Sequence, residues 1–508
     1  MKKNFLLLCF LLCATSMAVA QKRYLEKTFD QVSVSSGIYG YNYTVLLVPQ
    51  TGHSRLQPLV YDLYQPTGDT ETARPLILYF HTGNFLPFPQ NGGPSGTRSD
   101  STIVEMCTRL AKMGYVVASC DYRLGWNPLA PKIEDRINTL INAAYRGVQD
   151  ARTAIRYFKL EAESISLDTS KIILFGQGTG GYVTLNTATL DKYSEIPNTT
   201  SPPGKFINPD NGFPYVLESF NGNIDGTSWG ILNFPGHPQN GDTLNRPNNL
   251  GPSSDFQLQV NIGGALGDIS WLDENTPPMI SFQSPTDPFA PYNTGVLIVP
   301  QVNLPVVEVQ GALAIQQKVD ELGLNAAFAD KDFLDPLSNF QESLTGYSGL
   351  YPLNRPDSLK YDSSPWDFWA ASNPNNAAGL QTNPNMSKEK AIAFMDTIIN
   401  FMAPRACLVL NLGCDLTGYL NIKKINVAES GVEFYPNPAS NLVNIQSPNK
   451  EIKGIVVFDA AGRAVKTFGN INSRTYTLNR GDLPVGVYYA QLRFEKEVTT
   501  IRISFQGK

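Results

Sequence analysis

The chain has 508 residues, of which 42% are hydrophobic and 17% charged, and its formal net charge is −5. This is a globular composition with room for more than one domain, so a disordered chain is excluded. The absence of a basic block argues against nucleic acid as a partner.

The first twenty residues have the pattern of an export signal. Lys2 and Lys3 give a positive start, Phe5 to Cys13 an apolar stretch, and Ala18-Val19-Ala20 a small-x-small cleavage site before Gln21. The apolar run is too short to span a bilayer, and no later segment is expected to be long and apolar enough to do so. Removing the signal leaves Cys107, Cys120, Cys407 and Cys414. An even number in an exported chain suggests disulfides between near neighbours, Cys107–Cys120 and Cys407–Cys414, with burial of the first two as thiols the competing expectation. Neither a Cys-x-x-Cys pair nor a His cluster is present, so no metal and no cofactor are expected.

Residues 24–66 alternate polar and apolar, as opening strands do. From Arg74 short apolar strands alternate with helical patterns. Strands are predicted at Leu76–Phe80, Tyr115–Cys120, Lys171–Phe175, Phe256–Ile262, Pro278–Phe282 and Asn325–Ala329. Helices are predicted at Ile103–Met113, Tyr145–Leu160, Ala312–Leu322 and Ser387–Met402, the last with Ser387 as its N-cap. Strand–helix alternation with continuously apolar strands implies βαβ units and a mostly parallel sheet, an α/β fold flanked by helices. Pro/Gly/Asn-rich insertions are expected near 184–254 and 330–384. The second holds Trp366-Asp367-Phe368-Trp369, readable as a stacking platform for sugars or an acyl chain, or as a loop pinned to the core by its aromatics.

After a linker near 416–430, residues 431–508 carry short, closely spaced strands at Leu442–Ile445, Ile455–Phe458, Tyr476–Leu478, Val487–Phe494 and Thr499–Phe505, with Asp459, Gly462, Asn470, Gly481 and Gly486 as turns. This predicts a small all-β sandwich. The pieces Tyr435-Pro436-Asn437-Pro438-Ala439, Phe458-Asp459-Ala460-Ala461-Gly462 and Leu483-Pro484-Val485-Gly486-Val487-Tyr488 resemble the type IX secretion system type A sorting domain. The resemblance implies recognition by the type IX machinery, passage through the periplasm and across the outer membrane, and a secreted or cell-surface location.

Four segments of the body (21–415) resemble, in order, the carboxylesterase/lipase-like branch of the α/β-hydrolases. They are His81-Thr82-Gly83-Asn84-Phe85 as the oxyanion loop, Asp121-Tyr122-Arg123-Leu124 at a strand end, Gly176-Gln177-Gly178-Thr179-Gly180-Gly181 as the nucleophile elbow, and Thr286-Asp287-Pro288 at the acid position. The resemblance implies oxyanion donors around Gly83 and Thr179, a structural role for His81 in the oxyanion loop, and Asp287 as the retained acid.

Two parts of that machinery are missing. The elbow exists to hold a serine on a strained turn, and its nucleophile position is Gly178. The base should follow the acid, but His53, His81 and His237 all precede Asp287. Asp330, Lys331 and Asp332 stand where the base is expected, and Gln283 replaces a histidine frequent just before the acid. Three readings follow. The first is a pseudoenzyme with a degenerate triad that binds a partner or a small carbonyl or carboxylate ligand. The second is an active carboxylic ester hydrolase with rearranged residues, using Thr179 or His237. The third is a surface adhesin or structural module.

Overall fold

The computed structural model of the protein describes residues 22–299, 304–353, 362–420, 423–460, 464–469 and 471–507. The amino-terminal export segment and the turn residues Gly462 and Asn470 lie outside them. By internal packing the chain divides into two compact units. One holds Phe29–Ala329 and Phe340–Met402; the other gathers Ala403–Lys508, Asp330–Asn339 and the start of the chain up to Thr28.

The larger unit is built on one eight-stranded sheet. Its strands are β1 (Val32–Thr44), β2 (Arg55–Pro66), β3 (Arg74–Phe80), β4 (Val116–Cys120), β5 (Leu167–Gln177), β6 (Leu258–Ile262), β7 (Met279–Gln283) and β8 (Leu350–Pro352). They lie in the order β1-β2-β4-β3-β5-β6-β7-β8. β1 and β2 form an antiparallel hairpin and β2 meets β4 antiparallel, while every later pairing is parallel. Every residue of β3, β4, β6 and β7 is buried, which is why most of them are apolar, although Gln259, Asn261, Ser281 and Gln283 are buried among them. The main helices are α1 (Ser101–Lys112), α2 (Ile133–Leu160), α3 (Thr179–Thr189), α4 (Ala312–Glu321) and α5 (Lys388–Val409). On α1 the apolar residues Ile103, Met106, Cys107 and Leu110 recur at helical spacing and form its buried face.

α2 begins twelve residues before the predicted Tyr145. Its buried face carries Arg136, Arg146, Arg152 and Arg156, so the charge that hides a helix from a hydropathy reading is here turned inward. Arg123, just after β4, donates from Nε to Asp150 at 2.9 Å and from Nη1 to the Leu244 carbonyl at 2.8 Å. The Arg123–Asp150 pair is wholly buried and ties the sheet, α2 and the 184–254 insertion together. That insertion contains the end of α3 and the small hairpin Gly230–Ile231/Thr243–Asn245.

Several expectations are corrected. The predicted strand Asn325–Ala329 is a single helical turn, Ala326–Ala329. Its alanines favour a helix, and the Asn325 side chain clamps the Met279 backbone, accepting from its N–H at 2.9 Å and donating to its carbonyl at 3.0 Å. The strand that completes the sheet is β8, inside the segment read as irregular. A hairpin, Thr294–Val299 with Leu304–Gln310, went unread between β7 and α4. α5 runs seven residues past Met402. Among the described residues it is the one helix long and apolar enough to cross a membrane, against the expectation that none is. Its Ala391, Met395, Ile398 and Phe401 are buried, with the Phe401 ring 5.1 Å from Tyr351 and 5.7 Å from Phe282. Ser387 caps it as expected, its Oγ accepting from the Lys390 N–H at 3.1 Å.

In the smaller unit, Glu433–Tyr435, Leu442–Gln446 and Thr475–Asn479 form one antiparallel sheet. Gly454–Phe458, Ala464–Phe468, Gly486–Arg493 and Glu497–Phe505 belong to another. Alternate residues of these strands point inward: Val443, Ile445, Ile455, Val457, Ile501 and Ile503 are fully buried. The Pro-Asn-Pro motif has a structural reason. Asn437 donates to the Arg502 carbonyl and accepts from the Ser504 N–H, both at 2.8 Å, stitching the entry to the last strand.

Cys407 and Cys414 are disulfide-bonded, with Cα atoms 6.1 Å apart. The Cys107–Cys120 pairing is not formed; both are free and buried. One lies on the inner face of α1 and the other in β4, each a small apolar group packed in the core, and burial pushes both thiols well above their ordinary pKa. Thiol titration of protein starting at Gln21 is therefore expected to find no reactive thiol in the native state and two in guanidinium. None in guanidinium would mean that Cys107 and Cys120 are bonded.

Candidate functional site at the carboxyl ends of the strands

The candidate site lies where β3, β5 and β7 end, the edge at which open α/β sheets hold ligands. β5 runs straight into α3 through Gly178, which has φ 54° and ψ −119°. A side chain in that conformation is strained, and glycine is not. The neighbours must be glycine for a different reason. A Cβ at Gly176 would collide with the Gly180 carbonyl, and one at Gly180 with the Phe80 carbonyl. The sharp turn of a nucleophile elbow is thus intact around a residue that carries no nucleophile.

The vacated space is filled by Thr82, from the loop after β3. A Cβ built on Gly178 would overlap Thr82 Oγ1 and lie 2.8 Å from Thr82 Cβ, closer than real Cβ atoms approach. Thr82 is branched at Cβ and has few rotamers with which to withdraw.

The rest of that loop is tightly held. Asn84 and Phe85 both adopt positive φ, 55° and 52°. The Asn84 N–H donates to Thr179 Oγ1 at 2.9 Å, and the Gly125 N–H donates to the Phe85 carbonyl at 2.8 Å. His81 is buried and sits behind the loop. Its Nδ1 is 2.5 Å from the Thr82 carbonyl, its Nε2 3.5 Å from Asp121 Oδ1, and its ring stacks on Tyr122 at 4.8 Å. The Tyr122 hydroxyl donates to the His81 carbonyl at 2.9 Å. Among the described residues the N–H groups of Gly83 and Thr179 meet no acceptor.

Asp287 follows β7. Its Oδ1 accepts from the N–H groups of Phe289 and Ala290 at 2.8 and 3.2 Å. Burial, helped by the neighbouring Asp362, outweighs these two hydrogen bonds and pushes the carboxyl up to about 8. Gln283 bolts the acid loop down, donating to the Ala290 carbonyl at 2.7 Å and accepting from the Ala312 N–H at 2.9 Å.

The last strand of the sheet is β8, which ends at Pro352. Residues 353–364 contain no histidine either, and Asp362, Ser363 and Ser364 stand there. His237 lies on an exposed loop, accepting from the Gln239 N–H at 3.2 Å with its ring 6.0 Å from Phe234. His53 pairs with Asp242 at 2.7 Å.

These elements enclose a cavity of about 710 Å³ of empty space, open mouth included. Gly178, Thr179 and Asp287 line it together with Thr82, Tyr182 and Trp366. Phe85, Trp126, Leu140, Phe289 and Leu297 form apolar wall. Of the predicted site residues, Gly178, Thr179 and Asp287 meet at this cavity, Gly83 belongs to the loop that forms its edge, and His81 is set back. Thr82, Tyr182 and Asp362 were not singled out from sequence, although Thr82 stands inside the quoted oxyanion motif where a glycine is usual. Trp366 is buried against Gly263, and its neighbour Asp367 accepts from the hydroxyls of Ser95 and Thr102. The aromatic segment is therefore pinned to the core and still lends one face to the cavity.

Residues 61–301 match the BD-FAE family, and residues 433–506 match the family described as the secretion system C-terminal sorting domain. Among solved structures, esterase 2 of Thermogutta terrifontis phosphorylated by paraoxon is similar at 16% identity over 51% of this chain and 73% of that one, with a TM-score of 0.28. An esterase of Pyrobaculum calidifontis is similar at 18% identity over 50% of this chain and 51% of that one, with a TM-score of 0.23. A curated relative, the non-reducing polyketide synthase pkbA of Emericella nidulans, is 27% identical over 154 residues, which are 30% of this chain and 5% of that protein. The chain thus carries an esterase-like α/β-hydrolase domain followed by a C-terminal sorting domain, which directs export by the type IX secretion system to the cell surface or the medium.

Proposed function

We propose that the hydrolase-like domain of this exported protein is a ligand-binding pseudoenzyme, an esterase scaffold that keeps its pocket without hydrolysing esters. The observation that carries this reading is the exchange at the elbow. Acyl transfer needs a hydroxyl at the tip of the turn with a base beside it. Here the tip is Gly178, and Thr82 holds the space that a serine would enter. Losing triad members typically costs about four to six powers of ten in turnover, leaving roughly 10³–10⁴ over water from oxyanion donors and binding.

Rearranged machinery would need a substitute pair. The Thr179 hydroxyl is engaged by the Asn84 N–H, which counts against its use as a nucleophile. His237 is held on its own exposed loop, and the polar contacts of Asp287 are backbone N–H groups. The oxyanion side survives in part, because Gly83 and Thr179 still offer N–H groups while that of Asn84 is consumed internally.

Hydrolysis of p-nitrophenyl acetate and butyrate by the mature protein is expected to stay at background and to equal that of the Asp287→Asn variant. Turnover well above background that the variant abolishes would overturn the reading. Gly178→Ser alone is expected to remain inert and to lose about 1–3 kcal/mol of stability against Thr82. Adding Thr82→Gly should restore part of that loss, measured by urea unfolding.

Asp287 gives a second check. Its folded-state pKa lies above the ordinary carboxylate value, so its neutral form favours folding. That contribution is complete below about pH 4 and is lost as pH rises to about 8. Asp287→Asn should therefore gain melting temperature on the wild type at each step from pH 5 to 8, with the gap constant above about 8. Parallel curves would contradict the assignment.

A further inference from the structure

The Pro/Gly/Asn-rich insertion at 184–254 contributes no residue to the cavity at the strand ends, and it holds an anomaly of its own. All five tryptophans fall within the described residues, and four of them are buried or half-buried. Trp229, at the start of the small hairpin, is 56% exposed, and Ile231 and Phe234 beside it are exposed too. Large apolar side chains gathered on one exposed hairpin mark an interaction site. The backbone under Trp229 is locked from both sides. Asn245 donates to the Ser228 carbonyl at 2.7 Å, and Asn223 accepts from the N–H groups of Thr227 and Ser228 at 2.9 and 3.0 Å. On the other side, Gly230 lies so close to the Asn221 backbone that a Cβ there would collide.

Trp229 lines an open groove of about 650 Å³ of empty space, mouth included, together with Ser219, Ile231, Leu232, Asn233 and Asn240. None of the described residues that line it carries a charge, and Asp242, close by in the chain, is taken up by His53 at 2.7 Å. The polar groups of the groove are neutral and accessible. Asn240 accepts from the Phe234 N–H at 2.8 Å, which fixes its amide and leaves the amide N–H donors without a partner among the described residues. The Ser219 hydroxyl and the Asn233 amide are exposed and make no hydrogen bond among those residues. This lining selects a ligand by chemistry. An indole face is the negative side of a quadrupole and attracts the weakly positive C–H bonds of a saturated ring. Amides and hydroxyls both donate and accept, as sugar hydroxyls do. A pyranose brings both partners in one ring, a C–H face to stack and a rim of hydroxyls. A charged ligand meets no opposite charge here, and a purely apolar one leaves the amides covered and unpaired. We propose that this groove binds an uncharged oligosaccharide, one pyranose stacked on Trp229 and its hydroxyls held by Asn233, Asn240 and Ser219. The groove shares no lining residue with the cavity at the strand ends, so its test is independent of the reading of that cavity.

Calorimetric titration of the full mature chain with cellohexaose, xylohexaose, mannohexaose and maltohexaose tests it. At least one of them is expected to bind with a Kd of about 1 mM or tighter. That affinity should hold from about 50 to about 500 mM salt, because no charge pair contributes to it. Trp229→Ala should weaken the sugar at least about tenfold, and Trp229→Phe, which keeps a flat ring, by clearly less. Asn233→Ala removes one neutral hydrogen bond and should cost about two- to tenfold. Both side chains are exposed, so the melting temperature of each variant is expected to match the wild type, and Trp229→Phe with Asn233→Ala decides the matter should Trp229→Ala fail to fold. Absence of binding to all four sugars, or binding that these variants leave unchanged, would overturn the proposal. Self-association of the wild type that Trp229→Ala abolishes would give the groove to a second copy of the chain and overturn it as well.

Discussion

Two side chains cannot occupy one volume, and at the tip of the β5–α3 turn that rule governs the site. The turn brings residue 178 against the loop after β3, and only one of the two positions can carry bulk. In an esterase the bulk belongs to the nucleophile and the loop is glycine. Here the loop carries Thr82 and the turn carries Gly178. The arrangement relieves strain, because glycine accepts the φ of 54° that a serine would have to be forced into. Everything downstream follows from it. The elbow keeps its shape because Gly176 and Gly180 are still required by backbone packing. The loop after β3 is drawn in by the Asn84–Thr179 hydrogen bond, and Gly178 still lines the cavity.

The surroundings of Asp287 favour its neutral form. An acid of a working triad must be charged to hold an imidazolium. Asp287 has no imidazole to hold. Its carboxyl accepts from two backbone N–H groups, and burial drives it towards the neutral form. Gln283, in place of a histidine, serves the architecture by fastening the acid loop to α4. The sorting domain is independent of these changes. Its strands alternate inward isoleucine and valine with outward polar residues, and its Pro-Asn-Pro entry is stitched to the final strand.

Much of this was legible in the sequence, for identifiable reasons. Parallel strands are buried on both faces, so β3 to β7 could be located by their mostly apolar cores, although β5 begins four residues before the predicted Lys171. The elbow and the acid position were visible through the family resemblance, and Gly176 and Gly180 answer in addition to backbone packing. What escaped notice was carried by interactions distant in sequence. α2 is different, and hides its first three turns because Glu134, Asp135, Arg136, Asn138 and Asn142 break up their apolar residues. The turn after Asn325 reads as a strand because its alanines and phenylalanine are apolar, while the Asn325 clamp on Met279 that fixes it lies 46 residues away. The Thr82–Gly178 exchange was written in two motifs about a hundred residues apart, and only the fold reveals that they compete for one space.

The central claim is that no residue in this pocket acts as an activated nucleophile. Treating the mature protein with a fluorophosphonate and measuring the intact mass and peptides tests this most directly. The account predicts no covalent adduct under conditions that saturate a control serine esterase. A stoichiometric adduct on Thr82, Thr179 or any other cavity residue would contradict it and return the protein to the active hydrolases.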